Sequence, residues 1–177
     1  NDFRVIPTYI YAYQDKYKSL PGDDANVVVH VNLATLATTP AGSQGNGVID
    51  GNWNSATNTD ESRLFWQHVR LANLAAGPTD PADPSYTPRN AVGGQIGISS
   101  ATAAQLQILG MSGTYQVCSA GILGKFAKQL DIQMDDGNTA TGSLRVVADG
   151  SALGAAAPAM TATFPDDATS YTVCMTF

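Results

Sequence analysis

FRVIPTYIYAYQDKYKSL, Phe3–Leu20, is the stretch on which the fold turns. Phe3, Ile6, Ile10, Tyr13, Tyr17 and Leu20 recur in alternating steps of three and four, which is one stripe of an α-helix. Val5, Tyr9 and Ala12 form a second stripe beside it, so the first half is apolar around much of its circumference. The second half has a wet face of Gln14, Asp15, Lys16, Lys18 and Ser19. A helix that is apolar on several sides expects partners on several sides. Pro7 sits near the first turn or kinks the helix, and Pro21-Gly22 is the expected stop.

Downstream, residues 21–60 form a long region rich in Gly, Asn, Ser and Thr, broken by the apolar VVVHV at Val27–Val31. His30, flanked by valines, reads as one face of a strand. A second helix is expected from Asp60 to Ala76, with Asn58 and Glu61 as a capping box and Gly77-Pro78 as its stop. Leu64, His68, Leu71 and Ala75 share one face, with Phe65, Val69 and Ala72 beside it. His68 is therefore read as a packed histidine. Pro78–Pro88 reads as a surface loop. Strands are expected at Gly94–Ser100, Gly113–Ser119, Ser143–Ala148 and Ser170–Phe177. Between Ile122 and Asp136, Leu123, Phe126, Ala127, Leu130 and Met134 have helical spacing, although Leu130, Ile132 and Met134 also alternate as in a strand. Two helices followed mostly by strands give an α+β class with an antiparallel sheet. The 177 residues fit one domain, 1–177, in which 61–177 carries the second helix and the sheet.

Composition narrows the function. Hydrophobic residues are 44% and charged residues 14%, with a net charge of −6. The nine Lys and Arg are scattered, so no basic stripe exists to neutralise phosphates, and nucleic-acid binding by this chain alone is excluded. Cys118 and Cys174 each lie in an apolar, strand-like run without C-x-x-C spacing. Two separate buried thiols and one disulfide are both open; the composition reads extracytoplasmic and favours the disulfide. Neither histidine lies in a nucleophile motif such as G-x-S-x-G, and no glycine loop has a nucleotide-binding context, so the chain reads as a non-enzyme needing no cofactor. Asp23-Asp24, Asp135-Asp136 and Asp166-Asp167 read as solvated turns.

One pattern points toward a cation. Asp50, Asn52, Asn54, Asn58 and Glu61 place oxygen side chains through one loop ahead of a helix, as a calcium loop would. Against this, Ser55 stands where such loops have glycine, and a plain helix cap accounts for Asn58 and Glu61. The cap is the first reading and Ca2+ the second.

Four stretches in chain order resemble the type IV pilin and type II secretion pseudopilin family of prepilin-type proteins. They are YQDKYKSLPGDDAN (Tyr13–Asn26), GNGVIDG (Gly45–Gly51), ESRLFWQHVRLANLAAG (Glu61–Gly77) and LDIQMDDGNTATGSLR (Leu130–Arg145). The resemblance implies a long N-terminal helix packed on an antiparallel sheet of about four strands, with additional short helices. It also implies a cysteine pair near the C-terminus. On it, residues 1–20 are the C-terminal part of the long helix, whose hydrophobic upstream segment would anchor the subunit in the inner membrane before assembly. The implied function is a structural subunit of a filament, with roles in adhesion or motility. Its partners are copies of itself and the pilus or secretion assembly machinery, and its place is an extracellular filament on the cell surface. A pseudopilin or minor pilin is the nearest alternative. A secreted calcium-dependent binding module using the 23–60 loop is the alternative from another class.

Overall fold

The computed structural model describes residues 2–177. Among these residues, four helices and four strands run in the order α1 (Asp2–Tyr17), α2 (Val27–His30), α3 (Glu61–Leu71), β1 (Ile96–Ser100), β2 (Tyr115–Leu123), α4 (Gly124–Met134), β3 (Leu144–Ala148) and β4 (Ser170–Thr176). The class is α+β. The chain divides into two compact units, Asn1–Pro88 with Gly97–Ser99, and Arg89–Ile96 with Ser100–Phe177.

In the first unit α1 buries Phe3, Ile6, Ile10 and Tyr13, the expected stripe, while Tyr17 is only half-buried. The helix ends earlier than Pro21-Gly22 suggested. Pro21 disfavours a helical residue before it and has no N–H to continue the ladder. The chain instead turns at Lys18, whose φ is 56°. Leu20 is buried beyond the helix end. Gly22 follows with φ +93°, and a Cβ there would press on the Glu61 carbonyl oxygen, so glycine is needed for both reasons.

The valine run is a helical turn, not the expected strand. The carbonyl of Asp24 accepts the Val27 amide and its side chain accepts the Asn26 amide, which starts the turn. Val27 and Val31, four residues apart, point inward at 0% and 3% exposure, whereas Val29 is 81% exposed. A strand would have buried Val27, Val29 and Val31 together.

Helix α3 runs through the middle of this unit, buried from Glu61 to Arg70 except at Arg63. It stops before the expected Ala76 because Asn73 is left-handed (φ 62°) and the Leu74 amide reaches back to the Val69 carbonyl, a Schellman closure. The capping box expected from Asn58 and Glu61 is absent. Asp60 is the N-cap residue, and Asn58 accepts from Arg63 Nε instead. The proline-rich stretch is not all surface. Tyr86 is fully buried, and its hydroxyl donates to the Arg63 carbonyl and accepts the Gln67 amide.

The sheet order is β1-β2-β4-β3, with β4 antiparallel to both neighbours. Cys118 stands directly opposite Cys174, and the two are bonded. Val117, Val146, Val147 and Val173 are closed from solvent around them. Helix α4 lies against β2, β3 and β4. The helical reading of Ile122–Asp136 is thus the right one, but its buried face is Gly124, Ala127 and Asp131. Phe126 and Ile132 face outward at 44% and 69% exposure. Gly124 faces the 165–166 loop, where a Cβ would collide with the Asp166 carbonyl oxygen, so the helix turns its small-residue side inward there. Among the described residues, no helix is long and apolar enough to cross a membrane.

Candidate functional site

The first unit gathers three acidic side chains where the 43–51 loop meets α3. Asp23 is 3% exposed and binds the amides of Gly45 and Asn46 through Oδ1 and of Gly47 through Oδ2. Glu61 is fully buried; its Oε1 accepts from Ser43 Oγ and its Oε2 from the Asp50 amide. Asp50 Oδ2 accepts from Asn46 Nδ2. Burial pushes the Glu61 carboxyl up to about 7, against the two hydrogen bonds that favour its ionised form. Asp23 is also raised by burial, with its three amides pulling the other way.

These contacts show where the five expected loop ligands fall. Asp50 and Glu61 come together, joined by the Asp50 amide. Asn52, Asn54 and Asn58 are exposed; Asn52 gives its carbonyl to Ser62 Oγ, and Asn58 is turned to Arg63. The side chain that closes the loop is Asp23, which the sequence reading placed in a solvated turn. The signal that could have found it is the glycine pair Gly45 and Gly47, both at positive φ, whose amides converge on one acceptor.

A second polar group fixes the end of α1. Tyr13 Oη donates to Asp24 Oδ2 at 2.9 Å, and His30 Nδ1 meets the same oxygen at 2.7 Å. The His30 ring stacks on Tyr17, centroids 5.6 Å apart. Burial and the Asp24 carboxylate raise the Tyr13 pKa far above its ordinary value, so the phenol stays protonated. His68, fully buried, accepts the Gly22 amide at Nδ1 and meets the Thr35 carbonyl at Nε2. Only the neutral Nε2–H tautomer satisfies both partners. Burial accordingly lowers its pKa to about 4. Both of its ring nitrogens are committed to backbone groups.

In the second unit a turn follows α4. Asp131, Asp135 and Asp136 bring one carboxylate oxygen each to within 4.8 Å of one another. Asp135 accepts from Ser143 Oγ and the Leu144 amide, and Asp136 from the Asn138 amide and Thr141 Oγ1. Asp131 is fully buried, and neither of its oxygens has a hydrogen-bond partner. Burial raises its pKa to about 6; the nearby amides of Gly137 and Asn138 oppose the shift without reaching hydrogen-bond geometry. Asp135-Asp136 is therefore not the solvated turn expected from the sequence, and Asp131 joins it from the last turn of α4. The signal was there: Asp131 and Asp135 are one helical turn apart and share a face. Elsewhere in this unit, Cys118 and Cys174 form a disulfide between β2 and β4. No protein-family model, curated protein or solved structure matches the chain.

Proposed function

We propose that this chain is the globular part of a filament subunit of the type IV pilin or pseudopilin kind, a structural protein that works by polymerising. One observation carries the reading. Helix α1 buries one stripe within its own unit and still presents apolar side chains elsewhere. Val5 and Tyr9 are half-buried, and Ala12 and Tyr11 are exposed, Tyr11 at 59%. Aromatic rings left outside a fold are typical of surfaces that meet another chain. The four motif stretches in family order support the same reading. So does the disulfide, which belongs to an oxidising compartment. In this reading α1 continues a longer helix that bundles with its copies in the filament core, while loops and sheet face outward.

Immunogold electron microscopy with an antibody to this chain tests it. Gold rows along surface filaments are expected, together with their loss on deletion of the gene. Tyr11→Asp should abolish the filaments while leaving the melting temperature of the purified chain nearly unchanged. Label confined to the cell body or the medium, with no filaments, would overturn the proposal.

A further inference from the structure

The turn after α4 gathers three carboxylates, one of which, Asp131, the fold leaves without a hydrogen-bond partner. Three carboxylates meet at the C-terminal end of a helix, where the backbone dipole is negative and repels them. The last turn of α4 carries no basic residue to offset this. Among the described residues, no Lys, Arg or His forms an ion pair with any of the three. The Arg145 guanidinium donates to the carbonyls of Gly142 and Leu109.

Asp131 is a second and independent observation. Its side chain is fully buried, and both oxygens lack a hydrogen-bond partner, yet one of them belongs to the three-oxygen cluster. A buried, unpaired carboxylate is among the most costly groups a fold can contain. Three residues after Asp136 in the chain, the hydroxyl of Thr139 is also buried and without a partner. Every one of these atoms is an oxygen. Nitrogen and sulfur donors, which would suit zinc or copper, are missing from the cluster.

We propose that Asp131, Asp135 and Asp136 bind a calcium ion. Calcium takes oxygen ligands at about 2.3–2.6 Å, so two ligands on opposite sides of it lie roughly 4.8 Å apart. The three carboxylate oxygens fall within that span. Magnesium demands a tighter octahedron and retains its waters, which suits a three-carboxylate pocket less well. The outer contacts already orient the ligands: Ser143 and the Leu144 amide hold Asp135, while Thr141 and the Asn138 amide hold Asp136. Each of these oxygens keeps a lone pair for a metal. Gly142, at φ +71°, keeps the Asp135 carboxylate in place, since a Cβ there would collide with it. Bound calcium would neutralise Asp131 and tie the end of α4 to the start of β3. The inference does not depend on the filament reading.

Isothermal titration calorimetry of the metal-stripped chain with calcium chloride tests the site, alongside melting curves in calcium and in chelator. One calcium per chain is expected, with Kd no weaker than about 1 mM, and a higher melting temperature in calcium. Asp131→Asn should weaken binding at least tenfold and remove the calcium-dependent shift. In chelator that variant should melt no lower than the wild type, because it removes an unpaired charge; a purely structural aspartate would instead give a lower melting temperature in both conditions. If Asp131→Asn does not fold, the exposed Asp136→Asn decides, with the same loss of calcium response expected. Glu61→Gln should bind calcium as the wild type does. Three results would overturn the proposal: no binding at about 10 mM calcium, well above the weakest extracellular calcium modules; binding that survives both aspartate variants; or binding lost only in Glu61→Gln, which would place the ion in the 50–61 loop.

Discussion

Two buried ionisable residues on α3 are set against each other. His68 is held neutral, its pKa lowered to about 4 by burial. Between that value and its ordinary one the unfolded chain binds a proton that the folded chain refuses, so the His68 contribution is lost as pH falls. Glu61 is the reverse. Its carboxyl is raised to about 7, so the folded chain keeps a proton that the unfolded chain has released, and its contribution is lost as pH rises from the ordinary carboxylate range to 7. Each is worth on the order of 3 kcal/mol across its window. The windows overlap, so much of the pH dependence of the wild type cancels. Glu61→Gln separates them: glutamine keeps an acceptor for the Asp50 amide, and the Ser43 hydroxyl can rotate to accept from the new amide. Relative to wild type, the variant should gain stability as pH goes from about 4.5 to 7, by on the order of 3 kcal/mol in urea denaturation. A wild-type-minus-variant difference independent of pH would mean that Glu61 titrates like a solvated carboxyl. Gly22 links the two residues, since its amide binds His68 and its Cα lies against the Glu61 carbonyl. Gly22→Ala should destabilise by more than about 1 kcal/mol, because both φ and space forbid a Cβ.

At the scale of elements, α1 shows how far periodicity carries. Its three-and-four spacing located the helix and the buried Phe3, Ile6, Ile10 and Tyr13. Ile10 is completely enclosed, so Ile10→Ala should cost about 2–4 kcal/mol in chemical denaturation. Tyr11→Ala, one residue along and 59% exposed, should stay within about 0.5 kcal/mol of wild type. Equal effects at the two positions would mean that the stripe is buried on another side. In α4 the spacing left helix and strand both open, and the residues the helix buries are largely not the apolar ones that suggested it. Phe126 shares the helical spacing but is 44% exposed, whereas Gly124 and Ala127 are buried. The most apolar face is buried in α1; in α4 the small residues are, because the Asp166 carbonyl leaves no room for a side chain at Gly124. In α2, four residues were too few for any period to show, and bonds from Asp24 decided between turn and strand.

For the molecule as a whole, the disulfide is the longest-range covalent constraint. It joins residues 56 apart in sequence, across the β2–β4 ladder. Closing a loop of that size restricts the unfolded chain by about 4 kcal/mol in the chain-entropy model. Replacing both Cys118 and Cys174 by alanine should therefore lower the unfolding free energy by a few kcal/mol, up to about 4, in guanidinium titration. A loss below about 1 kcal/mol would show that the ladder and its valine core hold the register unaided. Free-thiol titration of the unfolded, unreduced protein should find no reactive cysteine.

The sequence by itself determined the class, the existence of α1 and α3, the run of strands, and two cysteines placed in strands; at α4 it left helix and strand both open. These depend on local period and turn chemistry, which neighbouring residues encode within one window. Tertiary structure alone decided that Asp23 closes the 43–51 loop, that His68 is pinned between Gly22 and Thr35, and that Asp131 is buried without a partner. Each of those outcomes depends on groups many residues away or on which face of a helix meets a sheet. Spacing can bring two carboxylates to one face, as at Asp131 and Asp135, but it does not say whether a carboxylate ends in water or buried without a partner. Its environment is set by chain segments that approach it only in the folded state, and with that environment its charge and chemistry.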